Sequence, residues 1–468
     1  MLERLTKQCD KIASVMFYIL MADVCIFGAG KLISVGPLTF RMILLALTGL
    51  VAVPVIFKNF SYLIKNKYTW VIGGFGVWLI FSTVLGIKNQ NAAGLIITDL
   101  KGFLYFALFP IAMCLIRTRR RAELLSKVMM YSSGVMGLLH ILFIVWYLWQ
   151  PDSFVSYATQ AFEKHFFYIS FLISPTNVRI NFLSLACLLF GCALSVHYQI
   201  KERTAWKKCV YVLITAVCLF AIFLSYTRSI YLAAAVTAVC TVVTVLIRTD
   251  LREKKKLAAH LCSSVAVFFV IIAVFRIGTG TDYFRYGLNR VFIGTDIVSQ
   301  GEMTQPEEIT GPTDVTRPEE TTPVAMDGLL LTTITSDDLR SLTVSDIVAN
   351  IRSSPIWGLG LGATIASRPD GLNEYFFLDL CSKTGIVGLC LYLAPLVFMA
   401  WDLVKLLRAG SDAFHLSAIW AVVILGFVAY SYFTPCMNSS VGIMCYCCAM
   451  AVLQQASINL SEQTIRKD

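Results

Sequence analysis

Five residues of this 468-residue chain are candidates for chemistry: Arg179, Arg228, Arg340, Arg352 and Glu374. Arg179 stands in "SPTNVRINF", where Pro175, Thr176 and Asn177 interrupt an apolar run, and Arg228 stands in "LSYTRSIYL", between two apolar runs joined so closely that they must form a tight hairpin. Arg340 and Arg352 precede "SSPIWGLGLG", and Glu374 opens "NEYFFLDLCSKTGIVGL", 373 to 389. An arginine at membrane depth is costly, and it usually faces a cavity or an anionic partner. Taken singly, each could instead snorkel to headgroups or pair with an acid. Several guanidiniums converging on one cavity suit a polyanion, because each stays charged and offers parallel N–H donors to phosphate oxygens. A pyrophosphate carried on a polyprenyl lipid is such a group. Glu374 adds a carboxylate able to accept a proton.

The elements that must position these residues are membrane helices. Charged residues make up 15% of the chain and hydrophobic ones 57%, with a mean hydropathy of +0.71, outside the usual range for a soluble globular chain. The apolar runs are each about 20 residues long, enough to cross a bilayer as a helix and too long and poorly alternating for barrel strands. The reading is an all-α polytopic membrane protein with about 12 transmembrane helices. They are placed near 12–30, 38–57, 68–87, 93–116, 127–149, 169–197, 209–226, 229–247, 257–277, 385–401, 413–433 and 438–455. The first follows a short cationic stretch like that of a signal peptide, but no small-residue cleavage site follows it, so it is read as retained.

Charge supports the count. Well over half of the 39 Lys and Arg residues fall on the N-terminus, the tail and every second short loop, such as "RTRRRAELLSK" (117–127) and "RTDLREKKK" (248–256). That alternation predicts cytoplasmic N- and C-termini. The net charge of +10 is therefore a topology signal, and no nucleic-acid partner is expected. The fifteen cysteines lie almost all in apolar runs without paired CxxC spacing, so they are read as small apolar residues, "CYCC" (445–448) included.

One loop is long. The division is nine spans over 1–277, an external loop over 278–384, and three spans with a cytoplasmic tail over 385–468. Within the loop, 299–338 is rich in Thr, Pro and Glu and reads as a disordered insert. Its flanks, "YFRYGLNRVF" (283–292) and "LTVSDIVANIRSSPIWGLGLGA" (342–363), read as ordered, the latter helical up to the Ser-Ser-Pro stop. "GLGLGA" lacks the Lys-Ser/Thr of a nucleotide-binding loop, and a close backbone approach explains its glycines better. Asp379 and Lys383 are spaced as an i,i+4 pair. Asp23, Asp99 and Lys101 also lie in apolar runs; Asp99 and Lys101, two apart, do not face one another, which leaves pairing across helices or an ion path.

The order of these features over residues 170–400 resembles the O-antigen ligase and polymerase family of bacterial envelope glycan enzymes: many spans, "LSYTRS" on a hairpin, one large late loop, "SSPIWGLGLG", then "NEYFFLDLCSKTGIVGL". The resemblance implies a helical glycosyltransferase in the bacterial cell (inner) membrane. Such an enzyme moves a glycan from a polyprenyl-pyrophosphate carrier to an acceptor hydroxyl on the external side, with no cofactor, metal or nucleotide sugar. Implied partners are the lipid-linked donor, the glycan acceptor, membrane lipids, a chain-length regulator and a flippase. It also implies that Arg228 and Arg179 bind pyrophosphate, joined by Arg340 or Arg352 from the loop. Ligases of the family carry His-Asn where this chain has Glu374 and Tyr375, and Glu where it has Lys383. That departure removes the ligase histidine and favours polymerisation of repeat units over ligation.

Glu374 is then the candidate base, with Asn373 capping a helix and Glu374 in its first turn. A helix N-terminus stabilises a carboxylate and weakens it as a base, so Glu374 could equally serve only to complement the helix dipole. Two other classes compete: a flippase or transporter for lipid-linked oligosaccharide, and a silent assembly protein. A transporter would gather ionisable residues at mid-membrane and repeat itself between halves, which this sequence does not visibly do.

Overall fold

In a computed structural model that describes residues 2–28, 34–35, 38–157, 169–174, 177–247, 250–280, 336–369, 371 and 374–465, the chain is an all-α polytopic membrane protein. Ten helices among the described residues are long and apolar enough to cross a bilayer. In chain order, α1 (Leu2–Phe27), α2 (Phe40–Lys58), the short α3 (Phe60–Ile64) and α4 (Lys67–Lys88) come first. A crossing assembled from α5 (Ala93–Phe103), a 3-10 turn and α6 (Leu108–Leu115) leads to α7 (Arg119–Trp149) and α8 (Pro151–Tyr157). Next come α9 (Leu188–Lys201), α10 (Ala205–Leu224), α11 (Arg228–Leu246) and α12 (Leu251–Thr279). The last four are α13 (Ser336–Ser353), α14 (Phe376–Arg408), α15 (Phe414–Ser431) and α16 (Ser440–Ile465).

Two of the twelve expected spans account for the difference. The first is helical as α1 and buries Phe17, Leu20 and Met21 in the bundle, but even its least charged stretch holds Asp10, Lys11 and Asp23, too many charges to count among the ten. The sixth, expected as a broken helix over 169–197, is instead an antiparallel hairpin of β3 (Ile169–Ser174) and β4 (Asn177–Phe182) followed by the 14-residue α9. Ile169 pairs with Phe182 and Ser174 with Asn177. The sequence explains it: Asn177, Arg179 and Asn181 alternate with Val178, Ile180 and Phe182 at the two-residue period of a strand. A second hairpin, β1 (Ser34–Val35) with β2 (Leu38–Thr39), leads into α2, whose first turn is capped by the Thr39 hydroxyl. The segment read as an insert, 299–338, lies outside the described residues as far as 335, and α13 starts at Ser336.

The core centres on α16. Val441, Met444, Cys445, Tyr446, Cys447 and Cys448 are all fully buried, as expected of a helix that is apolar all round. The "CYCC" thiols therefore pack as small apolar groups. Tyr392 of α14 is the centre of an aromatic cluster with Phe75, Phe103, Phe376 and Tyr446, its ring 5.2 Å from Phe376 and 5.4 Å from Phe75. Charges inside the bundle are paired: Arg41 Nε donates to Asp23 Oδ2 at 2.8 Å and Arg41 Nη1 to Ser440 Oγ at 2.7 Å.

α14 is the element that positions the site, and it is broken once. Gly385 adopts φ 68°, ψ 179°, a conformation open almost only to glycine, and an added Cβ would sit 2.0 Å from the Ile356 carbonyl oxygen. A break orphans the carbonyls before it, and here each is taken. Leu359 N donates to Ser382 O at 2.9 Å, Gly360 N to Lys383 O at 2.9 Å, and Trp78 Nε1 to Thr384 O at 2.8 Å. After the break, Ile386 N donates to Pro355 O at 2.9 Å. The "GLGLG" segment thus plugs the gap between α4 and α14. Gly360 (φ 85°) lies so close to Gly86 that a Cβ would come within 2.2 Å of its backbone nitrogen. That is the close backbone approach its glycines suggest.

Candidate functional site

Four chain segments meet around a cavity of about 720 Å³ at the end of the bundle where α10 turns into α11. The α10–α11 turn contributes Thr227, Arg228 and Ser229; α13 contributes Arg340, Ser341 and Val344. Glu374 and Tyr375, ahead of α14, form a third wall, and Phe433, Thr434 and Pro435, after α15, a fourth. Each wall has a local reason for its position. The α10–α11 connection is only three residues, closed by Tyr226 in a left-handed conformation (φ 49°), so Arg228 becomes the first residue of α11. A guanidinium at a helix N-terminus adds to the positive end of the helix dipole, a combination that favours an anion. Ser229 Oγ lies 3.1 Å from Thr434 Oγ1, linking the first and fourth walls.

The third wall is held by packing. Ile347, Ile365 and Tyr375 form a buried cluster that fixes α13 against the start of α14, and the Tyr375 ring meets Tyr432 at 6.3 Å and Phe433 at 6.2 Å. Asn350 Nδ2 donates to Thr364 O at 3.1 Å, and the Ser367 amide donates to Asp346 Oδ2 at 2.9 Å. These bonds tie the 364–369 connector along α13. The nearby Ser367 side chain and the hydrogen bond from the Ser367 amide also hold the Asp346 carboxyl below the usual carboxylate range.

Glu374 sits between two arginines. Its Oε2 is 3.3 Å from Arg340 Nε and its Oε1 is 3.6 Å from Arg368 Nη2. The helix begins at Phe376 with Tyr375 as its cap residue, so Glu374 precedes the helix rather than lying in its first turn. The expected cap, Asn373, lies outside the described residues. Arg368 is the contact that sequence reading missed. It lies in "ASRPDGLNEY", six residues before the glutamate, where its nearness in sequence was the available signal.

Arg228, Arg340 and Glu374 are therefore brought together, although they come from three separate parts of the chain. Arg352 is not. It lies exposed in the last turn of α13, twelve residues beyond Arg340 and so about 18 Å along the helix. Arg179 lies on β4, paired with Leu172, and its side chain is outside the described residues.

A second charged cluster lies within the bundle. Lys383, 5% exposed, reaches Asp379 Oδ2 at 2.9 Å, the expected i,i+4 pair, and Asp99 Oδ1 at 3.0 Å. The other Asp99 oxygen accepts the Gly362 amide at 2.8 Å. Asp99 thus pairs across helices. Lys383 grips the glycine segment twice, through its own carbonyl on Gly360 and through Asp99 on Gly362.

No protein-family model matches the chain, and no curated protein matches it either. Fold and site together define a multi-span membrane protein whose architecture is consistent with work on a lipid-linked substrate. An open cavity at one end of the bundle holds two arginines and a carboxylate.

Proposed function

We propose that the protein is a membrane glycosyltransferase that polymerises polyprenyl-pyrophosphate-linked oligosaccharide repeat units into a surface polysaccharide. The chemistry takes place at the external face of a bacterial cell membrane. The observation that carries this reading is the convergence of Arg228 and Arg340 on one cavity with Glu374. In the reaction, a hydroxyl oxygen of the acceptor glycan attacks the anomeric carbon of the donor. The new C–O bond forms as the bond from that carbon to the pyrophosphate oxygen breaks. Glu374 takes the hydroxyl proton, and the carrier leaves as polyprenyl pyrophosphate, its growing negative charge met by Arg228 and Arg340. Attack opposite the leaving group inverts the anomeric centre. The donor is already activated, so no nucleotide is consumed at this step.

Expressing the chain with its donor pathway tests this reading through glycan length. Wild type produces a ladder of polymer, and Arg228→Ala or Glu374→Ala produces single lipid-linked repeats on the outer membrane face. Repeats stranded on the inner face would identify a flippase instead. Full-length polymer left on its carrier would assign ligation to this protein.

A further inference from the structure

The two arginines that hold Glu374 are not equivalent. Arg340 lines the cavity and is 40% exposed, so it meets both Glu374 and whatever anion enters. Arg368 is absent from the cavity wall, is 28% exposed and is built into the connector. Its amide donates to Ile365 O at 3.1 Å, its carbonyl accepts Gly371 N at 3.1 Å, and the preceding residue is anchored on Asp346. One arginine faces the cavity as well as the carboxylate. The other is fixed by the backbone around it.

We infer that the two divide the work on Glu374: Arg340 leaves the carboxylate for the incoming diphosphate, while Arg368 keeps hold of the opposite oxygen. This inference rests on the proposed function. In the resting protein, Glu374 Oε2 already accepts from Arg340 Nε at 3.3 Å, so the guanidinium stands where an acceptor hydroxyl would have to approach that oxygen. A diphosphate carries more charge than a carboxylate and presents several oxygens, so it draws Arg340 toward Arg228. Oε2 is then free to accept the acceptor hydroxyl proton, and the base becomes active only when the donor is in place. Glu374 does not drift when Arg340 departs, because Oε1 remains beside Arg368 Nη2. Arg368 is a positioning residue. Unpaired activation without donor is avoided, as is neutralisation of the arginine that must receive the leaving group.

The test is a double-mutant cycle on the purified full-length protein in detergent, with inorganic pyrophosphate as the probe. Glu374→Gln removes the competitor for Arg340 and tightens pyrophosphate by about threefold, the size expected for a part-exposed ion pair. With Arg340→Ala, or Arg340→Gln should the first variant fold poorly, the same Glu374→Gln change has less than half that effect on a logarithmic scale. Equal tightening in both backgrounds would show general charge repulsion and overturn the exchange. Arg368→Ala keeps pyrophosphate affinity within about twofold. It lowers kcat for repeat-unit transfer by more than about tenfold with KM little changed, and Arg368→Lys restores part of the rate. Loss of pyrophosphate binding in Arg368→Ala would place that arginine in the anion site and overturn its positioning role. Should wild type bind no pyrophosphate, or bind it as well as Arg228→Ala does, the cavity reading fails and the inference falls with it.

Discussion

Lys383 with its two aspartates and Arg228 with Arg340 and Glu374 both bring cationic side chains together with carboxylates, and the two clusters differ in how they are used. In the first cluster the ammonium is 5% exposed and lies within 3.0 Å of both carboxylates, and one of those also accepts a backbone amide. In the second, the Arg340–Glu374 pair is looser at 3.3 Å, both side chains are about 40% exposed, and a cavity of about 720 Å³ opens onto them. A buried pair is fixed because removing one partner strands a charge; an exposed pair contributes little to stability and can exchange partners. The first cluster locks the glycine plug to α14, and the second stays available to a ligand.

Breaking the buried cluster carries the largest stability cost. Lys383→Met leaves the buried Asp379 and the part-buried Asp99 without their cation and destabilises the fold by about 3 kcal/mol, seen as a lower unfolding temperature in detergent. Gly385→Ala tests the same lock through the backbone: the strained conformation and the Ile356 carbonyl cost at least about 2–3 kcal/mol. Arg228→Ala sharpens the contrast from the other side. It leaves the unfolding temperature nearly unchanged, and on the proposed function it lowers glycan transfer by about 10²-fold or more, the effect of removing a cation that would face the leaving group. Arg352→Ala, at an exposed position away from the cavity, changes stability by less than about 0.5 kcal/mol and leaves transfer intact.

The smallest effect concerns pH. The folded protein holds the Asp346 carboxyl below its ordinary value, so its contribution is present above the ordinary carboxylate range and is lost as pH falls through the lowered value. Hydrogen exchange at the Ser367 amide is therefore slower in wild type than in Asp346→Asn near neutrality. The two converge only in stronger acid, once pH has fallen past the ordinary carboxylate value of about 4 and through the lowered value of Asp346 itself. A difference that persisted unchanged into acid would show that the carboxylate does not hold the connector.

Legibility in the sequence divided along the same physical line. Helices long enough to span a bilayer announced themselves by hydropathy, and the Asp379–Lys383 pair followed from helix spacing alone. Residues 169–182 did not. Their apolar content matched a span, and the strict alternation from Asn177 to Phe182, which marks a strand, was outweighed by length. Arg228 and Glu374 were visible as charges in costly places, but no spacing rule states that they share a cavity with Arg340, because that depends on how the α13 packing cluster docks. For the same reason Arg340 and Arg352 could not be separated until α13 set them at opposite ends of one helix. The three carbonyls before Gly385 and the donors that satisfy them, two amides of the glycine plug and the Trp78 indole, are likewise a tertiary fact, with only the glycines hinting at it.

The decisive measurement is transfer by the purified protein in liposomes loaded with a lipid-linked repeat unit, with product length read on a gel for wild type and Arg228→Ala. Polymer from wild type, and single repeats from an Arg228→Ala protein that is folded to the same extent, is the predicted result. An undiminished ladder from Arg228→Ala, or no chain growth by folded wild type supplied with its donor, would contradict it.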